Sequence, residues 1–276
     1  PTIAKKQAIS IAIFMTQTAL VTGASSGIGL AFAHVLAREK YNLILVARSE
    51  DKLQEIKQDL IDKHGIEAVV LVHDLTKSEA VQQLFEQINQ QNLTVDVLIN
   101  NAGYGDYGEF ASSDWEKLQG MILLNVLALT HLSRLCLPGM VARGHGQILN
   151  VASTAAFQPG PMMGVYFATK AYVLHLSEAI AAETQDAGIK VTALCPGPTQ
   201  SNFGEVAGMD KIPGMSNVTS DKFPTAQEVA EYGYQCLQNG KVVAVHGLLN
   251  KFLTFTPRLM PRRLLRNGIK KIMSGE

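Results

Sequence analysis

Thr22-Gly23-Ala24-Ser25-Ser26-Gly27-Ile28-Gly29 joins an apolar run at residues 19–22 to a stretch of helical period at residues 26–40. The run reads as a strand, and Ile28, Phe32 and Leu36 recur on one face of the helix. A strand, a glycine-rich turn and a helix N-terminus make an anion site, because backbone N–H groups converge where no Cβ stands in the way. Gly23 permits the tight turn, Gly27 lets a pyrophosphate approach the backbone, and Gly29 lets helix and strand pack closely. The same residues also fit G-x-S-x-G, in which Ser25 would be a hydrolase nucleophile and His246 a later triad member. Such an elbow on the first strand would have no sheet upstream to support it, which favours the dinucleotide reading. No Gly-Lys-Ser or Gly-Lys-Thr occurs, so the turn is not a P-loop.

Outward from that turn, strand-length and helix-length segments alternate. Strands are predicted at 43–47, 68–73, 95–100, 147–151, 190–194 and 242–245, and helices at 50–64, 77–91, 115–143, 166–187 and 226–239. The strands are continuous Val/Ile/Leu runs, as a parallel sheet covered on both faces requires. The expected fold is therefore α/β: a single Rossmann-like, doubly wound parallel sheet of about seven strands with helices on both faces, plus an amphipathic C-terminal tail. Residues 1–14 are read as an N-terminal extension, 15–250 as the dinucleotide-binding and catalytic domain, and 251–276 as the tail. Lys5 and Lys6 precede an apolar stretch at 9–14, but no small-residue cleavage site follows. No apolar run reaches the ~18 residues that a bilayer span needs. The long connection 196–224 carries Phe203, Met209, Met215 and Phe223 and has the length of a functional lid.

The end of the second strand selects the nucleotide. An acid there would hold the ribose 2′-hydroxyl of NAD, whereas an arginine accommodates a 2′-phosphate. The sequence reads Ala47-Arg48-Ser49, and Glu50 and Asp51 come later, where they suit the start of a helix. Arg48 can pair with a phosphate bidentately and Ser49 can add its hydroxyl, so NADP(H) is expected ahead of NAD.

Tyr166-x-x-x-Lys170 places a phenol and an ammonium on one helical face. Reducing a carbonyl needs a proton donor beside the hydride. Tyrosine, with a pKa of about 10, serves poorly until a cation stabilises its phenolate, and Lys170 is that cation. Ser153, just past the strand at 147–151, can hydrogen-bond a carbonyl and hold it for Tyr166.

Taken in order, these motifs resemble the short-chain dehydrogenase/reductase family, in its branch of about 250 residues. The resemblance runs from about Thr18 to about Val245. It rests on the glycine turn, Asp74 after the third strand, Asn100-Asn101-Ala102-Gly103 after the fourth, Asn125, Ser153, Tyr166-x-x-x-Lys170, and Pro196-Gly197-Pro198-Thr199 after the sixth. It implies a catalytic set of Asn125, Ser153, Tyr166 and Lys170. It also implies cofactor contacts from Gly23, Ser25, Ser26, Gly27, Ile28, Gly29, Arg48, Ser49, Asp74, Leu75, Asn101, Ala102, Gly103, Tyr166, Lys170, Pro196, Gly197 and Thr199. Asp74 would bond the adenine amino group, Asn101 would brace the strand end near the adenosine ribose, and Thr199 would meet the carboxamide. Lys170 would hold the nicotinamide ribose, and Asn125 would anchor a water that relays protons to it. The resemblance further implies a homo-dimer or tetramer built through the helices at 115–143 and 166–187.

The chain has 276 residues, 24 basic and 24 acidic, 47% hydrophobic and 17% charged. That balance excludes whole-chain disorder, and a neutral average argues against a nucleic-acid partner. Cys136, Cys195 and Cys236 form no disulfide pattern, which fits a cytoplasmic protein, and no histidine motif points to a metal. The apolar loop 196–224 lacks an anion clamp, so a hydrophobic carbonyl or alcohol is the expected substrate. Phe110 and Trp115, with Tyr104 and Tyr107, either pack locally or line its mouth. The alternative to an enzyme is a non-catalytic NADP(H)-binding sensor or scaffold; the presence of all four catalytic positions favours the enzyme. The zero net charge hides a split. Residues 251–276 hold seven cations and one acid, while 1–250 hold 17 cations and 23 acids. From Arg262 to Met273 the cations Arg262, Arg266 and Lys270 share one helical face, and Leu265, Ile269, Ile272 and Met273 share another. This basic amphipathic helix would dock on the body or a subunit partner, or lie on a membrane surface as a peripheral contact.

Overall fold

A computed structural model of the chain describes residues 16–208 and 223–274. Its first half runs β1 (Thr18–Thr22), α1 (Gly27–Arg38), β2 (Asn42–Ala47), α2 (Glu50–His64), β3 (Ala68–Val72), α3 (Ala80–Gln90) and β4 (Val97–Asn100). The second half has a long helical stretch, then β5 (Gly146–Val151). That stretch is α4 (Trp115–Ile122), a π-helical turn (Leu123–Ala128) and α5 (Leu129–Arg143). Then come α6 (Gly164–Thr184), β6 (Ile189–Cys195), α7 (Phe203–Val206), α8 (Ala226–Gln238), β7 (Val243–Val245), α9 (Leu248–Phe255) and α10 (Arg262–Ser274).

The seven strands are all parallel, in the order β3-β2-β1-β4-β5-β6-β7. The order reverses between β1 and β4, which opens a crevice beyond their carboxyl ends, the place where such sheets bind ligands. Both faces are covered. Phe32 and Leu36 of α1 pack with Leu53 of α2 and Val229 of α8 on one face, and Leu84 of α3, Leu132 and Met140 of α5 and Ile180 of α6 on the other. Two-sided burial explains why the strands read as unbroken apolar runs. Cys136, Cys195 and Cys236 are buried and free, packed as small side chains.

The sequence expectations shift at several ends for local reasons. The helix expected at 77–91 begins only at Ala80, because Lys77 N–H turns back to the Asp74 carbonyl at 3.0 Å. The strand expected at 95–100 begins at Val97, because the Asp96 side chain turns to accept from Thr18 N–H at 3.0 Å. The helix at 115–143 is continuous, and by length and composition alone it could cross a membrane, which the sequence reading did not find. Met121, Asn125, Leu132, Cys136 and Met140 are nevertheless buried in the body, as in a core helix. In the connection 196–224, Phe203 lies in α7, while Met209 and Met215 fall outside the described residues, as does the extension 1–14.

The tail is ordered. Helix α9 was not foreseen, and it runs across the boundary drawn at 250/251. Helix α10 is the amphipathic helix expected from the sequence, and it docks on the body: Leu265 and Met273 are buried, and Met273 with Ile269 joins the cluster around Met121 and Met163.

Candidate active site

The glycine turn is built by its neighbours as much as by its own residues. The Thr22 hydroxyl accepts from the backbone N–H groups of Asn101 and Ala102, both at 3.0 Å. The Asn101 amide donates to the Thr22 carbonyl at 2.9 Å and the Gly23 carbonyl at 3.3 Å. These bonds pin the end of β1 to the end of β4 and fix the switch point. Gly23 sits at φ 66° and Gly27 at φ 55°, left-handed conformations that favour glycine. A Cβ on Gly29 would strike the Gly23 carbonyl and the Asn101 amide, neither of which can move without breaking the pin. Gly29→Ala is therefore expected to destabilise the fold by about 1–3 kcal/mol, the usual cost of overpacking. Thermal melting would show this; an unchanged midpoint would mean that the turn relaxes freely.

Ser26 caps α1 with extended backbone, yet its side chain makes no capping bond. The first turn of the helix therefore presents its N–H groups to the crevice with hydroxyls beside them, which is the donor set a pyrophosphate requires. At the tip of β2, the Arg48 side chain makes no hydrogen bond or ion pair among the described residues. Ser49 caps α2 without a side-chain bond. Asp74 accepts from the Thr76 hydroxyl at 2.8 Å and the Thr76 N–H at 3.1 Å. Burial alone would raise its carboxyl, but these bonds and the charges of Arg48 and Lys77 hold it below the usual carboxylate range.

One cleft of about 530 Å³ runs from this nucleotide end to a second, apolar end. Gly23, Ser25, Ser26, Gly27, Ile28, Arg48, Ser49, Asp74, Leu75, Asn101, Ala102 and Gly103 line the first, and Pro196, Gly197 and Thr199 the boundary. Ser153, Tyr166 and Lys170 line the second together with Phe167, Phe203, Val206 and Met273. Two expected residues lie behind the wall: Gly29 in the helix packing, and Asn125 in the π turn, 1% exposed.

Ser153 caps a short 3-10 turn and accepts from Ala155 N–H at 3.1 Å. Tyr166 and Lys170 sit one turn apart in α6, both buried, and the Lys170 Nζ donates to the Val151 carbonyl at 2.7 Å and lies 5.8 Å from the Tyr166 ring centroid. Burial pushes the Tyr166 phenol up to about 12, against a lowering by its hydrogen bond with Ser153. Burial pushes Lys170 down to about 8, against a raising by the nearby Cys195. The sequence reading had Lys170 drawing the phenol down. Here burial dominates at both groups and holds each towards its neutral form.

The Asn125 side chain uses both of its amide protons and accepts once at its oxygen. Its amide donates to the Tyr104 carbonyl at 2.9 Å and to the Thr169 hydroxyl at 3.1 Å, and its oxygen accepts from Tyr104 N–H at 3.1 Å. Thr169 in turn donates to the Tyr166 carbonyl at 2.7 Å. This chain ties the loop after β4 to the helix that carries Tyr166, and Thr169 was not foreseen. Phe110 and Trp115 are exposed and lie outside the cleft; Tyr104 lines it instead. His246 packs edge-on against Tyr232, 5.1 Å between centroids, away from the wall that Ser25 lines, so no hydrolase triad forms.

The family model described as short chain dehydrogenase matches residues 17–211. The chain is 33% identical over 224 residues to the chicken (Gallus gallus) hydroxysteroid dehydrogenase-like protein 1, covering 79% of this chain and 65% of that relative. It is 30% identical over 260 residues to the very-long-chain 3-oxoacyl-CoA reductase of Anas platyrhynchos, covering 92% of this chain and 80% of that one. Among solved structures, a short-chain dehydrogenase from Sphingobium yanoikuyae in complex with NADPH superposes with a TM-score of 0.78 at 30% identity. That match covers 92% of this chain and 95% of the other.

Proposed function

The chain belongs to the short-chain dehydrogenase family, and from that premise we propose an NADP(H)-dependent oxidoreductase acting on a hydrophobic ketone or secondary alcohol, with Tyr166 as its acid/base. The observation that carries this reading is the single cleft that joins an anion-binding turn and Arg48 to the Ser153–Tyr166–Lys170 group. Bound at the first end, the nicotinamide supplies or accepts the hydride. Gly23, Gly27 and the first turn of α1 would hold the pyrophosphate, Arg48 and Ser49 the 2′-phosphate, Asp74 the adenine, and Lys170 and Thr199 the nicotinamide end.

The chain's own residues then handle the carbonyl and its proton. The Ser153 hydroxyl and the Tyr166 phenol both line the cleft and lie close enough for Ser153 to lower the phenol, so one carbonyl oxygen can be presented to the pair. In reduction the phenol protonates the oxygen as it gains charge. Lys170, its charge intact below about pH 8, restores the proton. Asn125 positions the set by holding Thr169 and α6, not by touching substrate. The apolar end, walled by Phe167, Phe203 and Met273, suits a lipid-like carbonyl, in keeping with relatives named for hydroxysteroids and very-long-chain 3-oxoacyl-CoA. A homo-oligomer through α4, α5 and α6 fits the exposed Ile122, Val141 and Tyr172 on those helices and Leu127 in the π turn between α4 and α5.

Mixing the protein with NADPH and a panel of bulky ketones tests the reading; cofactor binding without any oxidation of NADPH would overturn it. The pH profile is a second test. Lys170 loses its proton as pH rises through about 8, so kcat/KM for reduction should fall about tenfold per unit above that point. A profile flat to about pH 10, the ordinary lysine range, would remove Lys170 from the proton path.

A further inference from the structure

Helix α9 is inside out. Its inward residues are polar. The Asn250 amide lies against Gly197, so close that a Cβ there would stand 2.6 Å away, and Thr254 is 7% exposed with its hydroxyl donating to the Asn250 carbonyl at 2.9 Å. Its apolar residues face away from the body: Leu248 is 83% exposed, Leu249 70% and Phe252 65%. The apolar surface continues past the helix through the exposed Leu259 and Leu264. A helix that buries amide and hydroxyl and exposes leucine and phenylalanine marks an interaction site, because soluble surfaces rarely gather large apolar side chains.

The charges around the patch say what covers it. Lys251, Arg258, Arg262, Arg263 and Arg266 are exposed beside these side chains, and no acid occurs between residues 247 and 274. A two-fold contact with a second copy would set these cations against one another. We propose that residues 248–266 lie on an anionic bilayer surface, the apolar side chains entering the interface and the cations meeting lipid phosphates and carboxylates. Apolar insertion with an adjacent cluster of cations is how a segment lies on a membrane without spanning it. This surface differs from the face of α10 marked in the sequence, whose Leu265 and Met273 are used in docking on the body. Because Met273 also lines the cleft, docking brings the apolar end of the site close to the lipid; that consequence rests on the hydrophobic-substrate reading, whereas the docking does not.

The test is sedimentation of the full chain with vesicles of phosphatidylcholine alone and with phosphatidylserine added. The wild-type chain should bind the anionic vesicles at least about tenfold more tightly than the neutral ones, and salt should weaken the binding. Leu248→Ser with Phe252→Ser, and separately Arg258→Glu with Arg262→Glu, should each cost about tenfold or more while NADPH oxidation with a water-soluble ketone stays unchanged. All four side chains are exposed, and that turnover reports that the fold is intact. No anionic preference, binding unaltered in both double variants, or a dimer that Phe252→Ser dissociates without any vesicle binding would each overturn the proposal. Absence of ketone turnover in the wild-type chain would instead strike the proposed reaction and leave the surface standing.

Discussion

Tyr166→Phe is expected to lower kcat for ketone reduction by a factor of about 10² to 10⁴, the range that a positioned proton donor supplies. NADPH binding should change little, since the aromatic ring and its contacts with Phe167 and Phe203 remain. The fold should also survive. Among the described residues the neighbour affected is Ser153, whose hydroxyl keeps the Ala155 N–H at 3.1 Å and the Pro196 carbonyl at 3.5 Å. A single neutral hydrogen bond lost under those conditions costs about 1 kcal/mol. The phenol's position makes the effect large. It is buried beside the half-buried Ser153 in the wall of the cleft, with Lys170 one helical turn away. Stopped-flow NADPH oxidation beside a binding titration would separate the two readouts. Retention of more than about a tenth of kcat would mean that Ser153 or solvent delivers the proton, and the assignment of Tyr166 would fall.

The glycine turn was legible because an anion site is a backbone demand. It needs glycines at fixed spacing within one turn, and the conformations of Gly23 and Gly27 follow from it. Tyr166 and Lys170 were legible for a similar reason: one helical turn separates them, so spacing alone puts them on one face. The apolar end was not. Met273 reaches the cleft from the far end of the chain, held there by the Tyr107 hydroxyl donating to its carbonyl at 2.6 Å, and no local pattern announces such a contact. Asn125 could be placed on a helix, but not in a π turn, where its amide donates to Tyr104 and Thr169. Helix α9 escaped because periodicity assumes that apolar residues face inward; here Asn250 and Thr254 do. Phe110 and Trp115 failed in the opposite way, large aromatics in a loop near the site that turn to solvent.

Arg48→Asp should reverse the nucleotide preference, lowering the ratio of kcat/KM with NADPH to that with NADH by about 10² or more. Two effects add. The guanidinium stands at the carboxyl end of β2, with no side-chain partner among the described residues, so a 2′-phosphate would claim it outright. Removing a charge-assisted contact of that kind costs about 1.5–3 kcal/mol, or roughly ten- to a hundredfold. The new carboxylate then repels the phosphate and accepts from the free ribose hydroxyl of NADH, so the second effect acts on both cofactors in opposite directions. Arg48→Ala separates the two: it should lose the NADPH advantage without improving NADH. A third consequence can be checked independently. Asp74 is held low partly by the charge of Arg48, so in the acid variant two carboxylates face one another and the Asp74 carboxyl should titrate higher. The preference should therefore be most fully reversed where both carboxylates are ionised, and should weaken as pH falls and one of them is protonated. An NADPH to NADH ratio that Arg48→Asp leaves unchanged would remove Arg48 from the site and leave the choice of nucleotide to the hydroxyls of Ser25, Ser26 and Ser49.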